Sequence, residues 1–159
     1  MARAALDELK LDRILFIPTG AQRYRRPALA SGEHRVAMLK LALAGEPRYG
    51  IDERELAADA SGYTVDTLKA FDQPTLLMGT DQYAKLDTWH RPDEVRRLAR
   101  LAVFARPGSP MKERIDTIAM PPMKISASEI RAHAARGEDI SGLVPPAVAR
   151  YIAAHGLYR

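Results

Sequence analysis

The stretch QPTLLMGTDQYAKLDTWHRPDEVRRLARLAVFARPG, residues 73–108, decides the fold class. It opens on an apolar run, TLLM, started by Pro74 and ended by Gly79. Helical patterns follow in DQYAKLDTW and PDEVRRLAR, and a second apolar run, LAVFA, comes after them. Short continuous apolar runs suit strands buried on both faces. Two such strands joined by helical chain read as one crossover of a parallel sheet.

The same alternation extends in both directions. Upstream, ARAALDELK reads as an amphipathic helix with Ala5, Leu6 and Leu9 on one side, and RILFIP as another buried strand. TGAQRYRRPALASG is a loop rich in Gly, Pro and Arg. SGEHRVAMLKLALAGE is a helix with Ser31 as N-cap and Gly45 as stop. RYGIDERE gives a short strand and TVDTLKAF a helix. Downstream, TIAMPPMK is a weaker strand interrupted by Pro121 and Pro122. SASEIRAHAARGE and PPAVARYIAAHG are the last helices, the second started by its prolines and stopped by Gly156. The expectation is an α/β fold over a single domain, residues 1–159: doubly wound, with a mainly parallel sheet flanked by helices.

Composition narrows the function. There is no cysteine, which excludes disulfides and thiolate metal sites. His34, His90, His133 and His155 are scattered without the helical pairing of a zinc site. No secretory leader is legible, and no apolar run reaches the roughly 20 residues that span a bilayer. A cytoplasmic protein with no membrane partner is expected. The net charge of +4 suits an anionic ligand. The basic residues are dispersed and lack interleaved aromatics, which argues against nucleic acid.

Ligands of such sheets bind beyond the carboxyl ends of the strands. There the sequence places Thr19-Gly20 and the Arg23, Arg25, Arg26 cluster, then Gly79-Thr80-Asp81, then Arg106-Pro107-Gly108, then Lys124 through Arg131. In KISASEIR, Ser126 or Ser128 can cap the next helix, whose first turn can also meet an anion together with Arg131. An ordinary cap beside a surface arginine is the alternative. Asp81 can accept from ribose hydroxyls or cap a helix. Trp89 can stack on an aromatic ring or fill core. Thr64 can cap a helix or face the ligand, and His90 is too isolated to be a base. The arginine cluster reads as a phosphate-binding loop or a solvated one.

Taken together and in order, these segments resemble bacterial nicotinate-nucleotide adenylyltransferases, of the nucleotidyltransferase superfamily. The matching patterns are Y-T-x-D-T-L at 63–68, G-x-D-x-x-x-x-L-x-x-W at 79–89, R-P-G at 106–108, I-S-A-S-x-I-R at 125–131 and Y-I-x-x-H-x-L-Y at 151–158. The resemblance implies adenylyl transfer from ATP, accompanied by Mg²⁺, to nicotinate mononucleotide, with pyrophosphate released. Catalysis would be positioning and charge stabilisation without a covalent intermediate. It implies that Ser126, Ser128 and Arg131 hold ATP phosphates and that Arg106 lies near the adenine. Thr64 would meet the pyridine carboxylate, Trp89 would stack on the ring, His90 would contribute backbone, and Asp81 would lie near the ribose.

Two departures stand out. Where the family carries P-P-H-K, this chain reads Gln22-Arg23-Tyr24-Arg25-Arg26, so Arg25 or Arg26 takes the phosphate-binding role. The family's central first strand and its G-G-T-F-D-P-x-H-x-G-H segment are not in these residues. The expectation is therefore a sheet lacking its first strand, with no catalytic histidine of that motif. A nucleotide-binding remnant and a nicotinamide-preferring relative remain the alternative functions.

Overall fold

The computed structural model describes residues 1–20, 28–105, 115–119 and 125–159. The chain folds into two compact units that interleave in sequence: residues 1–14 with 61–123, and residues 15–60 with 124–159.

In the first unit, strands β3 (Thr75–Gly79), β4 (Arg100–Ala105) and β5 (Asp116–Ala119) form a parallel sheet in that spatial order. Thr75 stands opposite Arg100 and Gly79 opposite Phe104, so the two strands end level. Three consecutive β4 residues, Ala102, Val103 and Phe104, are buried, as expected of a strand covered on both faces. Helix α1 (Ala2–Glu8) lies against β5 and buries Ala5 and Leu6, with Leu9 only half-buried. Helix α3 (Thr64–Leu68) packs on α5 (Pro92–Leu98), and α5 in turn on β4. Their shared core is Val65, Leu68, Leu86, Val95 and Ala99. The short α4 (Thr80–Tyr83) follows β3 directly. Thr80 Oγ1 donates to the Phe104 carbonyl at 3.1 Å and ties the exit of β3 to that of β4.

In the second unit, β1 (Ile14–Phe16) pairs with β2 (Tyr49–Ile51) in a separate two-stranded sheet. Phe16 and Tyr49 meet edge to face, centroids 5.5 Å apart. Only Ile14 of β1 is buried; Leu15 and Phe16 are half-buried, so the expectation of a strand covered on both faces does not hold there. The described strands thus stand as two sheets, where the sequence reading expects one sheet without its first strand.

Helix α2 (Gly32–Leu43) begins as read: Ser31 accepts from the His34 amide at 3.3 Å. It ends before Gly45, whose φ of 93° suits glycine. It packs on α7 (Pro146–Ala154). Helix α6 (Ala127–Ala135) supplies Ala134 to the core made with Ile140, Val148 and Ile152.

Candidate functional site

The first unit gathers four of the candidate residues on its α3, α4 and α5 side. Asp81 sits in the first turn of α4, exposed, two residues past the end of β3. The residue capping that helix is Gly79, so the alternative of a capping aspartate does not apply. Trp89 ends a 3-10 turn over Leu86–Thr88 and packs, half-buried, on the Val65–Leu86–Val95 core. Thr64 is the first residue of α3; the capping position belongs to Tyr63 and no side chain caps it. Thr64 is thereby spared a structural hydrogen bond at the cap.

His90 is exposed and lies on Tyr63, with ring centroids 4.1 Å apart and planes 26° apart. Arg91 follows with φ 51°, directly before Pro92 at the start of α5. A left-handed backbone at a residue with a side chain costs about 1–2 kcal/mol. It reverses the chain between Trp89 and α5, and Arg91 then pairs with Glu94 at 3.3 Å.

Asp66 is the one carboxylate here with a perturbed ionisation. The Ser61 hydroxyl and the Lys69 ammonium, 3.0 Å away, hold it below the ordinary aspartate range, and nearby His90 adds to this.

In the second unit, Ser126 caps α6 in a reciprocal box: its Oγ accepts from the Glu129 amide at 3.1 Å, and the Glu129 carboxylate accepts from the Ser126 amide at 2.9 Å. Ser128 is exposed on the first turn, and Arg131 donates to its Oγ at 3.1 Å. The structure thus shows a cap at Ser126 and a hydroxyl–guanidinium pair between Ser128 and Arg131 near the start of a nine-residue helix. Arg25, Arg26 and Arg106 lie outside the described residues.

Thr19 and Gly20 leave β1 against the Arg54–Leu56 turn, and a Cβ on Gly20 would stand 2.1 Å from the Glu55 carbonyl oxygen. The sequence reading missed Tyr63 and Ser61 as part of the cluster around His90 and Asp66. The Y-T-x-D-T-L motif contains Tyr63, but nothing in the sequence pairs it with His90.

Among the described residues, no group of three or more histidine or carboxylate side chains is placed to hold a metal ion. Nor is any described helix long and apolar enough to cross a membrane.

The cytidylyltransferase-like family matches residues 1–133. A probable nicotinate-nucleotide adenylyltransferase of Laribacter hongkongensis (strain HLHK9) is 42% identical over 190 aligned positions, covering all of this chain and 86% of the relative. Its counterpart in Bordetella petrii is 41% identical over 175 positions, covering all of this chain and 90% of the relative. Among solved structures, Plasmodium falciparum nicotinic acid mononucleotide adenylyltransferase complexed with NaAD superposes with a TM-score of 0.78 at 16% identity, covering 98% of this chain and 89% of that one. That likeness speaks for the fold, α/β with parallel strands flanked by helices, and the closer identities speak for the lineage. The chain belongs to the nicotinate-nucleotide adenylyltransferases of the cytidylyltransferase-like family.

Proposed function

We propose that this protein transfers the adenylyl group of ATP to nicotinate mononucleotide, in the biosynthesis of NAD. A phosphate oxygen of the mononucleotide attacks the α-phosphorus of ATP. The bond to the bridging oxygen breaks, pyrophosphate leaves, and nicotinate adenine dinucleotide forms. The observation that carries this reading is the 41–42% identity, over the whole of this chain, to probable nicotinate-nucleotide adenylyltransferases.

Each side chain has a definite task on this reading. Ser128, Arg131 and the start of α6 bind ATP phosphates, where a helix N-terminus and a guanidinium favour negative charge. Arg25 or Arg26 adds charge to the phosphates, and Arg106 borders the adenine. Trp89 offers its free face to the pyridine ring. Thr64 donates its hydroxyl to the ring carboxylate, His90 lends backbone, and Asp81 accepts from a ribose hydroxyl. Mg²⁺ arrives with the triphosphate of ATP and belongs to the substrate. These roles stabilise charge on the reacting phosphates and align them, which is the main demand of phosphoryl-group chemistry.

Trp89 is the sole tryptophan, so its emission reports on this site alone. Titration with nicotinate mononucleotide should quench it, and nicotinamide mononucleotide should compete weakly. Turnover is read as pyrophosphate and dinucleotide formed from ATP plus nicotinate mononucleotide. It is measured on the 159-residue chain and on the same reading frame extended upstream of Met1. Equal use of both mononucleotides would overturn the substrate assignment. No quenching with either would overturn the function.

A further inference from the structure

We infer that Tyr63 is a positioning residue for the pyridine end of the substrate, acting through its stack on His90. The inference rests on the proposed function. Thr64 and Trp89 can grip opposite parts of one pyridine carboxylate group only if their two segments keep a fixed spacing. Those segments come from different elements, the start of α3 and the turn before α5. The Tyr63–His90 stack is one contact that joins them, between the residue before Thr64 and the residue after Trp89.

A chain of polar contacts holds each ring in place. The Tyr63 amide donates to Ser61 Oγ at 3.2 Å, and the Ser61 hydroxyl bonds Asp66. Asp66 takes Lys69 Nζ at 3.0 Å, and the same ammonium lies 3.7 Å from Glu94. Glu94 pairs with Arg91, the residue after His90, at 3.3 Å. The contacts therefore close a loop from Tyr63 through α3 and α5 back to His90. Each exposed ion pair contributes little by itself. Closed into a ring about the stack, they limit how far either aromatic can drift. Tyr63 is also packed, half-buried, on the same core as Trp89, so the tyrosine and the tryptophan share one support.

The test compares Tyr63→Phe, which keeps the stack, with Tyr63→Leu, which removes it. Nicotinate mononucleotide affinity is read from Trp89 quenching, and ATP affinity from calorimetry. Tyr63→Phe should bind nicotinate mononucleotide within about twofold of the parent. Tyr63→Leu should bind it roughly 3- to 10-fold more weakly, the scale of one lost aromatic pair. ATP affinity should not change in either variant. His90→Ala added to Tyr63→Leu should cost little more, because the stack is already gone. Unchanged nicotinate mononucleotide affinity in Tyr63→Leu, or an equal loss for both nucleotides, would overturn the inference. If the parent shows no quenching, the proposed function fails instead. The positioning role is then decided on ligand-free protein by NMR. A shift of the Trp89 indole N–H in Tyr63→Leu but not in Tyr63→Phe supports it, and no shift in either refutes it.

Discussion

Arg131 reaches back one turn along α6 to donate to Ser128 Oγ at 3.1 Å. The two side chains meet because residues three apart share a helix face. The pairing ties the guanidinium to the first turn of the helix. An arginine oriented in this way loses less freedom when it binds a phosphate. Arg131→Ala should weaken ATP binding about 10- to 100-fold, the worth of one or two charge-assisted hydrogen bonds. Calorimetric titration with ATP checks this. The thermal midpoint should barely move, since the pair lies at the surface.

Ser126 caps α6. Ser126→Ala removes the acceptor for the Glu129 amide and breaks the reciprocal box. The expected loss is about 1 kcal/mol of stability, and Ser126→Gly should lose only a few tenths. Urea unfolding of the three proteins measures the difference. An alanine variant as stable as the parent would mean that the cap contributes nothing.

At the far end of α6, Arg136 and His133 both bond Glu138 and push its carboxyl from the ordinary 4.5 down to about 2. A depressed carboxyl favours the folded state at every pH above its unfolded value. That contribution should fade as pH falls from 4.5 towards about 2. Glu138→Gln cannot titrate, so the gap in thermal midpoint between parent and variant should be constant at neutral pH and shrink across that acid window. A gap that persists unchanged to the acid end would contradict the pairing.

Leu86 is fully buried one turn before Trp89. Leu86→Ala should cost about 2–5 kcal/mol through lost transfer energy and the cavity left behind. The Trp89 emission should shift to the red as its supporting wall recedes. Denaturant unfolding followed by fluorescence gives both readings in one experiment.

Gly20→Ala tests the exit from β1. The added Cβ would stand 2.1 Å from a backbone oxygen, which cannot rotate away. Either the loop or the Arg54–Leu56 turn must shift, at a cost of about 1–3 kcal/mol. Thermal unfolding of the variant measures it.

Residues 73–108 show how far the sequence reads by itself. Pro74 and Gly79 bracket β3 as expected, and the parallel partner β4 follows after two helical segments. Apolar run length and proline or glycine punctuation are local signals, and they placed these elements. The same local logic found Ser31 and Ser126 as caps. It failed on RILFIP, where burial depends on what covers the strand rather than on its own residues, and only Ile14 and Pro18 are buried.

The candidate site divides in the same way. Ser126, Ser128 and Arg131 lie at the cap and within the first two turns of one helix, so their spacing in the sequence already states their neighbourhood. Thr64, Asp81, Trp89 and His90 were legible one by one as motif positions. Their support was not legible, because it comes from residues remote in the chain.

The sequence by itself determined the element order, the caps at Ser31 and Ser126 and the family, since each follows from short-range pattern or from the order of motifs. Only the tertiary structure decided that Tyr63 lies on His90 and that Asp66, Lys69, Glu94 and Arg91 link α3 to α5 around them. The packing of those helices on one apolar core brings these side chains together, and no local pattern encodes that meeting.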